Sequence, residues 1–195
     1  MTIQHQFLNS DFFFPTWEID TLFLGTFNPV CGEQLDYYYR RSSNGFWKII
    51  KHFDSLNEYD FSNFQDLKRY MTHKRFGCVD VIRSVTFPEV DRNKICGNGY
   101  TDDNLFKVKN YSREYNFGQI KRFISEQSIT NIFTTWGGRD KPKEFRNLVT
   151  NFEVFCREND FNFNKLKSPS GRLYKGEEIN RIHINWFSFL NPIFG

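Results

Sequence analysis

A short apolar run that stops on a glycine constrains this chain most. Residues 19–24, Ile-Asp-Thr-Leu-Phe-Leu, read as a buried strand, and Gly25 ends it. A second run, Ile-Thr-Asn-Ile-Phe-Thr-Thr-Trp, stops at Gly137 and Gly138, and a third, Phe-Asn-Phe-Asn-Lys-Leu-Lys, leads into Ser-Pro-Ser-Gly-Arg. The Val- and Ile-rich stretch 78–87 suits a strand or an extended segment lining a cleft. Between these runs the period changes to that of a helix. Phe46, Trp47, Ile49, Ile50 and Phe53 share one face, as do Phe64, Leu67, Tyr70 and Met71, with Ser62 or Asn63 placed to cap the second helix. Two more helices are expected over residues 114–127 and 141–159, the latter with Pro142 near its first turn. Residues 179–190 fit either a last strand or a helix. Strands alternating with helices predict an α/β fold: a three-layer α/β/α sandwich on a central, mostly parallel four-stranded sheet, built as one domain over residues 1–195.

Such sheets bind ligands beyond the carboxyl ends of their strands. Three of the expected strands end in small or amide-bearing residues, so those ends should meet. At the first, Gly25 lets the backbone turn, and Pro29 pushes Asn28 away from helix. Asn28 is then either a plain turn residue or an amide that positions a water; an amide is no general base at neutral pH. After it comes Tyr37-Tyr38-Tyr39-Arg40-Arg41, then Asn44 before Phe46 and Trp47. Three tyrosines in a loop cannot all face a core, so one or two are exposed or line a pocket. Rings beside guanidiniums suit a nucleic-acid surface or a lid with a solvated arginine pair. Asn44 can cap the helix or hydrogen-bond a base edge. At the third end, Ser168, Ser170 and Gly171 suit a phosphate, with Lys167, Arg172 and Lys175 adding charge.

Composition narrows the choices. Net charge is +3, which permits a nucleic-acid partner without demanding one. Aromatic residues make up 19%, with 24 Phe, enough to fill a core and leave rings for stacking. The four cysteines form no C-x-x-C pair, and the four histidines make no metal-like pair, so no metal is expected. The cysteines are expected as reduced thiols of a cytosolic protein. Nothing resembles a signal peptide or a membrane span, which places the protein in the cytoplasm, at the nucleoid if bacterial. Phosphate-binding and dinucleotide glycine motifs are absent, as is a nucleophile elbow. No pair of carboxylates stands out for acid–base hydrolysis.

The order and spacing of Gly-Thr-Phe-Asn-Pro, Asn-Gly-Phe-Trp-Lys-Ile-Ile and Ser-Pro-Ser-Gly-Arg resemble the uracil-DNA glycosylase superfamily over roughly residues 19–172. The likeness is nearest to its mismatch-specific uracil/thymine and hypoxanthine branches. Val30 stands where the mismatch-specific branch usually has glycine, and the serine loop lacks the histidine of the most active uracil enzymes. The resemblance implies a monofunctional DNA glycosylase of base excision repair that acts on uracil, hypoxanthine or both in a flipped-out nucleotide. It needs no cofactor and works as a monomer. The resemblance casts Asn28 as the residue orienting the water, and Gly25, Thr26, Phe27, Tyr39 and Asn44 as the base pocket. Backbone amides near Thr26 and Phe27 would hold a base carbonyl, and Tyr39 would stack on the base. Ser168, Ser170, Gly171, Arg172 and Lys175 would bind DNA, with Arg172 as the wedge that fills the vacated stack. Two other readings stand beside this one. They are a catalytically silent nucleic-acid-binding relative and an α/β hydrolase of free nucleosides or another small molecule; a free nucleoside would have no phosphate for the basic serine loop to grip.

Overall fold

The computed structural model describes residues 1–10, 12–96, 100–107, 110–136, 142–170, 176 and 178–195. Among the described residues, seven strands are present: β1 (Thr2–Gln4), β2 (Thr21–Gly25), β3 (Phe76–Asp80), β4 (Ile82–Thr86), β5 (Ser112–Tyr115), β6 (Asn131–Thr134) and β7 (Asn162–Lys165). The helices are α1 (Phe46–Ile50), α2 (Phe64–His73), α3 (Arg92–Ile95), α4 (Asp102–Lys107), α5 (Phe117–Glu126), α6 (Lys143–Glu158) and α7 (Glu178–Phe194).

The main sheet has the order β3-β2-β6-β7 and every pair in it is parallel. Alternation along the strands separates its two faces. Phe23, Phe76, Cys78 and Phe133 point to one side, where α1, α2 and α7 bring Phe46, Leu67, Met71, Ile182, Trp186 and Leu190. Leu22, Leu24, Val79 and Ile132 point to the other, where α5 and α6 bring Ile120, Ile124, Phe145, Phe152 and Cys156. β2 and β3 are buried on both faces, hence their nearly continuous apolar runs.

The four expected helices are present, but residues 114 and 115, expected in the third, belong to strand β5, and the short helices α3 and α4 were not expected. Asn63 caps α2, its side-chain oxygen accepting from the amides of Gln65 and Asp66. Residues 179–190, left open between strand and helix, lie within α7. The stretch 78–87 is not one strand. Asp80 ends β3, Val81 intervenes, and β4 turns into a second, antiparallel sheet of order β1-β4-β5. That sheet escapes sequence reading because β1 has three residues and β5, Ser-Arg-Glu-Tyr, is polar.

The cysteines depart from expectation. Cys31 and Cys96 are joined in a disulfide, and only Cys78 and Cys156 are free thiols, both buried. Pairing was not legible because the two residues are 65 positions apart with no motif between them. Among the described residues, no helix is long and apolar enough to cross a membrane.

Candidate active site

The chain runs from β2 to β3 on one side and later returns to β6 on the other side of β2. The crevice of such a sheet opens where the direction reverses, here between the carboxyl ends of β2 and β6. Two of the expected strand ends therefore lie side by side, and β7 sets the third next to them. Thr135, just past β6, is 3.0 Å from the Tyr39 hydroxyl. The carbonyl of Pro169, in the serine loop, accepts from the Gly45 amide at 2.7 Å. Ser168 and Ser170 lie in this loop, the Ser168 hydroxyl accepting from the Ser170 amide at 3.4 Å. Gly171, Arg172 and Lys175 lie outside the described residues, as do Gly137 and Gly138.

The aromatic loop divides its three tyrosines. Tyr37 and Tyr38 are fully buried, and the Tyr38 hydroxyl donates to the carbonyl of Phe13. Tyr39 is half-buried and faces the crevice. Its ring lies flat on Phe46, centroids 4.2 Å apart and planes 7° from parallel. Its backbone is left-handed at φ 60°, a conformation uncommon for a large side chain. The ring stack and the Thr135 bond hold it there. Thr135 in turn donates to the Leu24 carbonyl at 3.3 Å, so Tyr39 is the donor in their pair. Burial raises the Tyr39 phenol well above its usual range and keeps it protonated.

The paired arginines separate as well. Arg40 is spent on structure, donating to Asp36 and to the carbonyls of Phe61 and Ser62. Arg41 lies over the Tyr100 ring at 4.8 Å, and among the described residues its buried Nε has no acceptor. Asn44 is not the cap of α1, which is Gly45; its side-chain oxygen accepts from the Phe46 amide at 2.9 Å, leaving its NH₂ as the group able to meet a ligand.

The turn after β2 holds two carboxylates that sequence reading did not bring together. The Thr26 hydroxyl donates to Asp102 at 2.7 Å, and Tyr100 donates to the same oxygen at 3.2 Å. Phe27 is core, its ring edge-on to His5 and Tyr100. The Asn28 Nδ2 donates to Asp80 Oδ2 at 2.9 Å, and His5 Nε2 meets that same oxygen at 2.9 Å. His5 and Asp80 are each 2% exposed. Among the described residues, no donor reaches the Asn28 Oδ1.

The N-terminal segment places His5 there. Gln6 donates its amide to the Asn28 carbonyl at 2.7 Å, Val30 donates to the Gln4 carbonyl at 3.0 Å, and His5 bridges Pro29 across an antiparallel pair. The imidazole sits among Phe7, Phe13, Phe27 and Tyr38. Its Nδ1 accepts from the Phe7 amide at 3.0 Å, so the ring hydrogen is on Nε2 and points at Asp80. Burial pushes the Asp80 carboxyl above its ordinary range. The bonds from His5 and Asn28 pull it back, and the charge of Asp102 pushes it further up. Space around this carboxylate is tight: a methyl group on Gly25 would sit 2.1 Å from Asp80 Oδ1 and 2.6 Å from the Tyr39 hydroxyl.

Sequence reading missed His5, Asp80, Tyr100, Asp102 and Thr135. Asp80 carried a signal, a lone carboxylate inside the apolar stretch Phe-Gly-Cys-Val-Asp-Val-Ile. His5 carried none. Among the described residues, no group of three or more His, Cys, Asp or Glu is arranged to hold a metal ion. No protein-family model matches the chain, and no curated protein is similar to it at a significant level.

Proposed function

We propose that this protein is a monofunctional DNA glycosylase that hydrolyses the N-glycosidic bond of a deaminated base, uracil or hypoxanthine, flipped out of DNA. The observation that carries the reading is the fixed amide of Asn28. Its NH₂ is committed to a buried carboxylate, so its carbonyl oxygen remains to accept a hydrogen bond from water, at the switch point of a parallel sheet.

Hydrolysis then proceeds with bond breaking ahead of attack. The C1′–N bond lengthens and its electron pair leaves with the base, while the sugar takes on oxocarbenium character. A water held by Asn28 Oδ1 adds its oxygen to C1′, and its proton ends on the departed base. Such an electrophile needs a positioned nucleophile more than a strong base. The Thr26 and Phe27 amides, in the turn directly after β2, would stabilise charge on the leaving base. The flipped base extends the stack of Phe46 and Tyr39. The Arg41 guanidinium and the loop of Ser168 and Ser170 serve the backbone phosphates.

Base excision tests this directly. Oligonucleotides carrying one uracil, hypoxanthine, xanthine or mismatched thymine are incubated with the protein and treated with alkali to reveal abasic sites. Excision of uracil or hypoxanthine is expected, falling by about 100-fold in Asn28→Ala, the scale of losing a positioned reactant. No excision of any base, with salt-sensitive binding to the same DNA intact, would favour the silent binder.

A further inference from the structure

We infer that Asp80, held in place by His5, is a positioning residue: its carboxylate fixes and polarises the Asn28 amide so that Oδ1 is presented to the attacking water. The catalytic consequence rests on the glycosylase reading; the coupling of Asp80 to Asn28 does not.

Two neutral donors, the His5 Nε2–H and the Asn28 Nδ2–H, converge on one oxygen of a carboxylate that is 2% exposed. A hydrogen bond to an ionised acceptor is shorter and stronger than one to a neutral group. In a poorly solvated setting, it also drives electron density from the amide nitrogen towards its carbonyl oxygen. The amide is thereby locked against rotation by half a turn, which would offer water the wrong end, and its Oδ1 becomes a better acceptor. The other carboxylate oxygen occupies the space that a side chain at Gly25 would take. His5 cannot reverse its ring, because the Phe7 amide requires Nδ1 as acceptor.

The groups facing Asp80 decide how it titrates. His5 comes from the segment after β1, Asp102 from α4, Tyr37, Tyr38 and Tyr39 from the aromatic loop, Cys78 from β3 and Tyr100 from the segment before α4. The four phenols and the thiol are raised by burial and stay neutral. Asp102 is the carboxylate that opposes ionisation of Asp80, and His5 is the neighbour that most favours it. Protonation of Asp80 ends the charge-assisted hold on Asn28, so excision depends on the ionised form.

The test is the pH profile of single-turnover excision with the full chain, paired with ¹⁵N NMR of the Asn28 side-chain amide. Excision should rise tenfold per pH unit on the acid side, with a midpoint above the ordinary carboxylate range. Asp80→Asn should abolish that limb and lower the plateau by about 100-fold. His5→Phe, which keeps a ring in the aromatic cage but removes the donor, should move the limb to higher pH, and His5→Gln should restore it. Asp102→Asn should move the limb to lower pH. A purely structural role would not produce opposite shifts from two neighbours. A limb that stays put, or moves the same way in both variants, would overturn the inference. If no oligonucleotide is cut, the glycosylase reading fails and NMR decides the rest. The Asn28 NH₂ resonances should follow the Asp80 midpoint through the same opposite shifts, and a pH-independent resonance would sink the coupling. Should Asp80→Asn fail to fold, the His5 and Asp102 variants carry the test.

Discussion

Asp20 and Asp80 stand at opposite ends of the same two strands and face opposite physics. Where β2 and β3 begin, Asp20 meets Arg75 at 3.2 Å, and Arg75 also meets Glu18 at 2.8 Å. Their side chains are 34%, 44% and 67% exposed. Water solvates each charge, salt screens them, and the cluster contributes little. Where the strands end, Asp80 is sealed from water, and among the described residues no lysine or arginine pairs with it. It has one neutral imidazole, one neutral amide and a second carboxylate within electrostatic reach. Folding opposes its charge. An acidic residue at a sheet end therefore means little by itself; what matters is whether it is buried and what charge its partners lack.

The contrast can be broken most severely at Gly25. In Gly25→Ala the new methyl must displace Asp80 Oδ1, and the Tyr39 hydroxyl with it. Both are held by other bonds, so the turn must move. The expected cost is about 1–3 kcal/mol of unfolding free energy by denaturant titration, with loss of excision. A fully stable, active Gly25→Ala protein would mean the carboxylate is not locked.

Asp80→Asn sharpens the contrast in the other direction. Its folded carboxyl titrates above its unfolded value, so the stability tied to its proton is present in full below about 3.8 and lost as pH rises through the folded value. At neutral pH the native protein carries the whole burden of a buried charge. Removing the charge should raise Tm by a few degrees, roughly what 1 kcal/mol does in a chain of this size. The gain should vanish as pH falls below the ordinary carboxylate range. A variant that is more stable yet less active would mark Asp80 as a residue kept for function. Scanning calorimetry across pH reads this; a Tm that falls at neutral pH would count against it. The smallest effect belongs to Asp20→Asn. The ion pair there should be worth under about 1 kcal/mol, and less in high salt. A larger loss would show that the two ends differ less than their exposures imply.

The same contrast explains what the sequence revealed. β2 was legible because burial on both faces leaves an apolar run, and the helices because one-sided burial leaves a 3.6-residue period. The meeting of the strand ends followed from topology alone. Within the site, Asn28 and Tyr39 were legible because each sits beside the turn it serves. His5 and Asp80 were not, because their contact joins residues 75 apart through a strand pairing too short to see. Arg40 and Arg41 are identical on paper. Only the packing shows one spent on carbonyls and the other stacked on a ring.

The bond between Cys31 and Cys96 turns the chain into a covalent ring with two tails. The ring carries Tyr39, Asn44, α1, α2, β3 and Asp80, while His5 and Asn28 lie on one tail and Tyr100 and Asp102 on the other. Of the groups near Asp80, His5 and Asn28 thus reach it from one tail and Tyr100 and Asp102 from the other. Closing a loop of this length restricts the unfolded chain by about 4 kcal/mol in the chain-entropy account, a constraint that reducing agents remove. A protease that cuts the backbone anywhere between the two cysteines leaves one molecule while the bridge stands and two fragments once it is reduced. The bridge thus makes the integrity of the crevice a matter of the electrons around it.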